Sequence, residues 1–204
     1  MDKPKSVRRE VYPKPEHRFS NAKIGMTHHE SKPDFPRFDH APPHAPNIVV
    51  VLLDDVGYGL PSACGGLVRT PTAERLAREG LTYCQFHTTG LCAPTRAALL
   101  TGVNPHRAGA GDVANSDPGF PGYAAELADA LATMAAIVRG AGYATLALGK
   151  WHLTKDADMS DAGPKSSWPL QRGFDRYYGF LDAFTNLHHP HRLVGRPSRV
   201  VAAD

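Results

Sequence analysis

Asn47-Ile48-Val49-Val50-Val51-Leu52-Leu53, followed by Asp54-Asp55, is the stretch from which the fold is read. The run is continuously β-branched and aliphatic instead of alternating, the pattern of a strand buried on both faces of a parallel sheet. Gly57-Tyr58-Gly59 breaks it, so the two carboxylates sit at the carboxyl end of the strand, where open α/β sheets place their ligands. Two readings of Asp54 and Asp55 stand: turn or cap chemistry, a common use of Asp, and metal ligation by adjacent carboxylates.

Downstream, Thr70 caps and Pro71 opens a short helix that Gly80 stops. Leu81 to Thr88 alternates like a half-buried strand and delivers the chain to Leu91-Cys92-Ala93-Pro94-Thr95-Arg96. Pro94 suits the first helical position, good helix formers run on to Thr101, and Gly102 closes the turn. Cys92 then faces the free N–H groups of a helix N-terminus, a setting that favours an anion, and Arg96 adds positive charge one turn on. Cys64 and Cys84 read as small buried residues. The segment from Gly102 to Pro121 reads as a long surface loop. Gly109 to Ala114 has a dinucleotide-type spacing, but no strand precedes it.

The composition from Tyr123 to Val138 predicts one long helix, or two joined near Thr133, ended by Gly140 to Gly142. Tyr143 to Leu148 is a second short buried strand, ending in Gly149-Lys150-Trp151-His152. Alternation puts Lys150 and His152 on one face and Trp151 on the other. A polar pair at a strand end is ordinarily just solvated; here it repeats the placement of Asp54-Asp55. A phosphate-binding loop is excluded, because position 144 is Ala and Trp follows Lys150. The aromatic, turn-rich run from Gln171 to Phe180 packs on the sheet. His188-His189-Pro190-His191 could hold a metal, but the proline and the lack of nearby carboxylates favour a surface loop.

With 204 residues, 42% hydrophobic content and a formal charge of +3, the chain is long enough for one sizeable α/β core. Its basic residues are scattered among acids, which argues against a nucleic-acid partner. Three cysteines fit a reducing compartment better than a disulfide scaffold. Residues 1–45 form a Pro/His-rich flexible segment, and residues 46–204 form the folded part. The first 46 residues hold 8 of the 18 prolines and 5 of the 11 histidines. His28, His29, His40 and His44 could bind metal, but their irregular spacing and flexible setting favour a solvated tail. Arg8-Arg9 is followed by Glu10, Pro13 and Lys14 and not by an apolar stretch, so no signal peptide or membrane span is read and a cytoplasmic location is expected.

Several of these pieces together carry a family resemblance. Pro46-Asn47, Asp54-Asp55-Val56-Gly57-Tyr58-Gly59, Cys92-Ala93-Pro94-Thr95-Arg96 with Leu99-Leu100-Thr101-Gly102, Gly149-Lys150-Trp151-His152-Leu153 and Arg172-Gly173-Phe174-Asp175 resemble the type I sulfatases, most closely the arylsulfatases. The likeness runs over about residues 46–190, and Cys-x-Pro-x-Arg is its most specific element. It implies an alkaline-phosphatase-like α/β fold, a mostly parallel sheet flanked by helices, here truncated to the N-terminal part of the catalytic domain. It implies a sulfuric ester hydrolase acting on a small-molecule sulfate ester. Cys92 would be oxidised to formylglycine by a separate formylglycine-generating enzyme, giving a diol of which one hydroxyl attacks sulfur and the other expels sulfate. Asp54 and Asp55, with the oxygen of the converted Cys92, would hold calcium or magnesium. Arg96 would steady the nucleophile, while Lys150 and His152 would bind the sulfate and manage its protons.

Family members continue into a second half that adds an Asp-Asn pair to the metal, and no Asp-Asn dipeptide occurs in this sequence. Two carboxylates cannot fill the roughly six to eight oxygen positions of calcium, so a separate C-terminal half is an expected partner. A sheet without its neighbouring strands is prone to aggregation. Two alternatives accompany the sulfatase reading: a phosphonate or phosphodiester hydrolase on the same fold, and a non-catalytic truncated remnant. A cysteine phosphatase is excluded, since it needs a longer Cys-to-Arg spacing than the three residues found here.

Overall fold

A strand is stable only when its backbone N–H and C=O groups find a ladder, and in the computed structural model the ladder forms around the second apolar run. The structure describes residues 21–34, 40–113, 116, 118–186, 188–190, 192–195 and 199–202. Strand β1 (Leu146–Lys150) pairs in parallel with β2 (Arg176–Phe180), Leu148 opposite Tyr178 and Gly149 opposite Gly179. Strands β3 (Arg192–Gly195) and β4 (Arg199–Ala202) continue the sheet antiparallel, in the order β1-β2-β3-β4. The described sheet is therefore mixed, with one parallel pair where a mostly parallel sheet was expected.

The Gly149–Gly179 pair is what lets β1 and β2 approach. A Cβ on Gly179 would lie 1.9 Å from the Gly149 carbonyl oxygen, a distance no side chain could occupy.

Helix α1 (Pro71–Glu79) and helix α2 (Cys92–Thr101) lie where Pro, Gly and apolar spacing placed them. Their ends differ in detail from expectation. Thr70 makes no side-chain cap; its hydroxyl pairs with Ser62 Oγ at 3.1 Å instead. Cys92, not Pro94, is the first residue of α2, and Pro94 is third, still within the first turn where its missing N–H costs no bond. Gly102 ends α2 in the left-handed region, its N–H bonding Ala98 O at 2.8 Å.

The expected buried strand at 47–53 is corrected. These residues join no ladder, and Ile48 to Leu53 are 39% to 81% exposed. The reason is the lack of neighbours: apolar, β-branched residues favour a strand only where other strands and helices cover them. The same holds for 81–88, which carries a turn at 84–85 and leaves Leu81, Tyr83 and Phe86 exposed. Strand β1 is not buried either, because Leu146 and Leu148 face outward. Cys84 is exposed and Cys64 half-buried, against the expectation of two buried thiols; all three cysteines are free.

Of the helix expected from 123 to 138, continuous or as two joined near Thr133, α4 (Met134–Gly140) forms, starting directly after Thr133, and the part before Thr133 does not. Ala125 is left-handed, and the carbonyls of Leu127 and Ala128 are taken by the buried Arg172 guanidinium, which also pairs with Asp129 at 3.0 Å. Thr133 then starts α4 by accepting from Ala136 N while its hydroxyl donates to Arg172 O. Tertiary bonds to one arginine thus override a strong local helix preference.

The expected loop at 102–121 contains a short helix, α3 (Pro105–Ala108), capped by Asn104. Ala108 and Ala110 are buried in one core cluster with Ala97 of α2, and that core continues through Leu153, Trp168 and Tyr177. Within the N-terminal segment, residues 21–34 close on themselves through paired Lys23–Lys32 backbone bonds of 2.9 and 2.8 Å. Arg8, Arg9, Glu10, Pro13 and Lys14 lie outside the described residues, as does His191; His188 and His189 are exposed. Among the described residues no helix is long and apolar enough to cross a membrane.

Candidate active site

Three separated pieces of chain meet at the N-terminal end of α2. The first turn of the helix brings Cys92 and, one turn on, Arg96, while the end of the 47–53 run brings Asp54. The end of β1 brings Lys150, and the two residues after it bring Trp151 and His152.

The backbone holds that last segment firmly. Trp151 N donates to Phe180 O at 3.0 Å and His152 N to Leu181 O at 3.1 Å, so the β1–β2 contact continues two residues past the end of β1. Trp151 turns into the core, its indole N–H donating to Ser167 O at 3.0 Å and its ring meeting Phe174 edge-on. The Tyr177 hydroxyl lies 2.9 Å from Gly149 O and 2.8 Å from Phe180 O, bracing the strand ends from below. Burial pushes the Tyr177 phenol well above its ordinary value, so it remains a donor. Nothing in the sequence singled out Tyr177 beyond its place in an aromatic run.

His152 is 1% exposed and adopts φ +55°, the left-handed region that a side chain rarely takes. Its Nδ1 lies 3.1 Å from Cys92 Sγ, and its Nε2 is buried without a hydrogen-bond partner. Burial, and then the charges of Lys150 and Arg96, push its pKa down to about 4. The imidazole is therefore neutral at pH 7 and able to accept a proton.

Asp54 is the hub of the charges. Its Oδ1 accepts from Arg96 Nη2 at 3.0 Å and its Oδ2 from Lys150 Nζ at 2.7 Å. Arg96 Nη1 also donates to Lys150 O at 2.7 Å, tying α2 to the end of β1. Burial raises the Asp54 pKa, but the hydrogen bonds and charges of Lys150 and Arg96 outweigh it and hold the carboxyl below its usual range. Two cations against one carboxylate leave the trio with one net positive charge.

Asp54, Asp55, Cys92 and Arg96 line an open cleft of about 460 Å³, while Lys150 and His152 are not in its wall. Asp55 is exposed and left-handed, at φ +55°. The structure thus brings Cys92 against His152 and Asp54 against Arg96 and Lys150, with Asp55 beside Asp54 on the cleft. Against a divalent cation, the fit is partial. Both Asp54 oxygens are engaged by cations, and among the described residues no three His, Cys, Asp or Glu side chains are grouped to hold an ion. The described residues do not compose a complete cation site.

Comparison with known proteins agrees with the motif pattern. The sulfatase family model matches residues 46–198. The arylsulfatase of Klebsiella aerogenes is 37% identical over 143 residues, 69% of this chain and 29% of that protein. The steryl-sulfatase of Mus musculus is 39% identical over 142 residues, 67% of this chain and 22% of its own length. A structure solved in connection with the metabolism of multiple glycosaminoglycans by Bacteroides thetaiotaomicron superposes with a TM-score of 0.56 at 30% identity, covering 74% of this chain and 31% of that one. The chain thus spans 22% to 29% of the length of such curated relatives. Matched over most of its length by the family model, and sharing the alkaline-phosphatase-like α/β fold of its solved neighbour, the chain belongs to the sulfatase family.

Proposed function

We propose that this chain carries the nucleophile side of a sulfuric ester hydrolase active site, of arylsulfatase type. The observation that supports the reading most is the 3.1 Å approach of Cys92 Sγ to His152 Nδ1, across 60 residues of sequence, beside the Asp54–Arg96–Lys150 trio.

Each residue then has a role at a stated atom. Cys92, converted to formylglycine, would supply a hydrated aldehyde whose paired hydroxyls allow attack at sulfur and release of sulfate without a second incoming water. His152 stays neutral and holds Nδ1 against the side chain of residue 92, where it takes or returns a proton. Arg96 and Lys150 set fixed positive charge beside the cleft, complementary to a sulfate monoanion and to the charge its oxygens gain during transfer. The first N–H groups of α2 add to the same field. Asp54 keeps both cations in place.

Asp54, Asp55 and Cys92 border one cleft, and they are the share of a calcium or magnesium site that this chain would bring. Such an ion would act as a Lewis acid on a sulfate oxygen, with its remaining oxygen donors coming from polypeptide beyond the described residues. Residues 46–204 are the N-terminal part of the catalytic domain in this reading, and residues 1–45 are an appendage to it. The three free thiols fit a reducing, cytoplasmic setting, and a formylglycine-generating enzyme is the partner that would modify Cys92.

The test is co-expression of a form carrying the complete catalytic domain with a formylglycine-generating enzyme, followed by peptide mass spectrometry at Cys92 and an aryl sulfate assay. Formylglycine at position 92 with turnover that Cys92→Ala abolishes is the expected result. Turnover retained in Cys92→Ala refutes the assignment, and faster cleavage of a phosphonate monoester than of an aryl sulfate would move it to another ester.

A further inference from the structure

Lys150 and His152 keep their aim only if the backbone that carries them is fixed, and that backbone makes two turns that an extended chain does not. Gly149 has φ +89° and His152 φ +55°, both in the left-handed region. Four hydrogen bonds tie the segment down. Lys150 O accepts from Arg96 Nη1 at 2.7 Å, Trp151 N donates to Phe180 O at 3.0 Å, and His152 N donates to Leu181 O at 3.1 Å. The fourth is at the first turn, where Gly149 O accepts from the Tyr177 hydroxyl at 2.9 Å.

The sheet places Tyr177 for this. It sits on β2 opposite Ala147 and two residues before Gly179, so the two share one face of the strand. Gly179 has no side chain to stand in the way of the phenol, and Tyr177 is 4% exposed. Its hydroxyl ends between two carbonyl oxygens, Gly149 O on β1 and Phe180 O, 2.8 Å away on its own strand. A phenol has one proton, which the two carbonyls share. Phe180 O also accepts from Trp151 N, so a single oxygen receives both the phenol and the backbone link that leads to His152.

Resting on the sulfatase reading for the reaction it serves, we propose that Tyr177 is a positioning residue of the site: its hydroxyl fixes the Gly149 peptide and the Phe180–Trp151 link, and through them holds the His152 imidazole against residue 92. Lys150 depends on it less. Its Nζ is held by Asp54 at 2.7 Å and its carbonyl by Arg96. His152 has no such anchor on its ring: among the described residues Nδ1 meets Cys92 Sγ and the buried Nε2 has no hydrogen-bond partner. The aim of His152 therefore comes from its backbone, and losing the phenol hydroxyl loosens the proton-handling group while the sulfate-binding charge stays in place.

The experiment compares wild type with Tyr177→Phe, His152→Gln and Thr145→Val. Tyr177→Phe keeps the buried ring and removes only the hydroxyl. Thr145→Val removes a different buried hydroxyl, one that donates to Gly173 O at 2.8 Å directly before β1, and supplies a structural loss away from the site. On the purified 204-residue chain, alkylation of Cys92 by iodoacetamide at pH 7 is followed by peptide mass spectrometry alongside Tm. Both Tyr177→Phe and Thr145→Val should melt below wild type. The alkylation rate should change by at least about threefold in Tyr177→Phe, in the same direction as in His152→Gln, and keep its wild-type value in Thr145→Val. In a form carrying the complete catalytic domain, Tyr177→Phe should lower kcat for an aryl sulfate by about tenfold with KM within about twofold. Fluorotyrosine at position 177, which retains the hydroxyl, should restore kcat.

A wild-type alkylation rate in Tyr177→Phe or in His152→Gln overturns the proposal. So does an equal change in Thr145→Val, a loss confined to KM, or a Tyr177→Phe chain that does not fold, since the hydroxyl then serves the fold alone. Altered alkylation in Tyr177→Phe, with no aryl sulfate turnover by the complete wild-type form, counts against the proposed function and leaves this inference standing. Turnover that Cys92→Ala abolishes and Tyr177→Phe leaves unchanged does the opposite.

Discussion

Replacing Asp54 by Asn tests whether one carboxylate holds the cluster together. The substitution preserves shape and removes one negative charge, so the trio with Arg96 and Lys150 passes from a net charge of +1 to +2. Arg96 and Lys150 are only 11% and 10% exposed, which limits the solvent available to absorb the change. A hydrogen bond to a charged group contributes about 1.5–3 kcal/mol, and the substituted amide would retain one neutral acceptor. Because the Asp54 side chain is 30% exposed, solvent screening takes part of that, and a net loss of about 2 kcal/mol is expected. For a chain of this size that lowers Tm by roughly 4–8 °C, read by circular dichroism at pH 7. The sign with pH is fixed by the lowered pKa of Asp54. Its stabilisation is complete above the ordinary carboxylate value of 3.8 and is lost as pH falls through the lower value it has in the folded chain. The gap between wild type and Asp54→Asn should therefore close in acid. Equal melting at pH 7, or a gap that persists in acid, would refute the trio as a source of stability.

His152 gives a second pH effect. Burial depresses its pKa from 6.5 to about 4, so the unfolded chain binds the extra proton within that window. Stability should drop by up to about 3 kcal/mol as pH falls from 6.5 to 4, and His152→Gln should flatten that slope in a pH series of urea titrations. Gly179→Ala places a Cβ against the Gly149 carbonyl and should cost more than about 4 kcal/mol, seen as lost soluble yield or lost far-UV signal; a melt like that of wild type would contradict the β1–β2 register. Cys92→Ala should abolish aryl sulfate turnover in a complete form while leaving melting within error, since the thiol is only partly buried.

What could be read from the sequence was set by where each signal finds its partners. Helix α2 was legible because its determinants are local: Pro94 in the first turn, good helix formers, and Gly102 at the end. The same holds for α1. The 47–53 run and the 81–88 segment carry strand sequences as clear as any in the chain, yet neither forms a ladder, because a strand is completed by other segments that the described residues do not supply. The part before Thr133 of the helix expected at 123–138 failed for a different reason. Arg172, 45 residues from Leu127 in sequence, claims the carbonyls that a helix would have used, and no local signal reports that demand. At the candidate site, the motif residues were legible but their pairings were not. For Asp54 the sequence leaves turn chemistry and metal ligation both open, and neither reading announces that its two oxygens accept from Arg96 and Lys150.

The grouping of Lys150 with His152, and of Trp151 away from them, follows the alternation of an extended chain, but the chain does not stay extended. His152 turns left-handed directly after the last β1–β2 bonds, a conformation that costs of order 1–3 kcal/mol for a non-glycine residue. The cost is met by its surroundings: Trp151, Leu153 and Thr154 are buried on either side, and Tyr177 braces the strand ends. Among the described residues four non-glycine side chains have positive φ, and two of them, Asp55 and His152, belong to the candidate site. Relaxing either would redirect its side chain away from Cys92 or from the cleft. Strain held in place by a well-packed layer is what gives a reacting group a fixed aim. On that ground the left-handed His152, more than the cysteine motif that first draws attention, marks where this chain has spent stability on geometry.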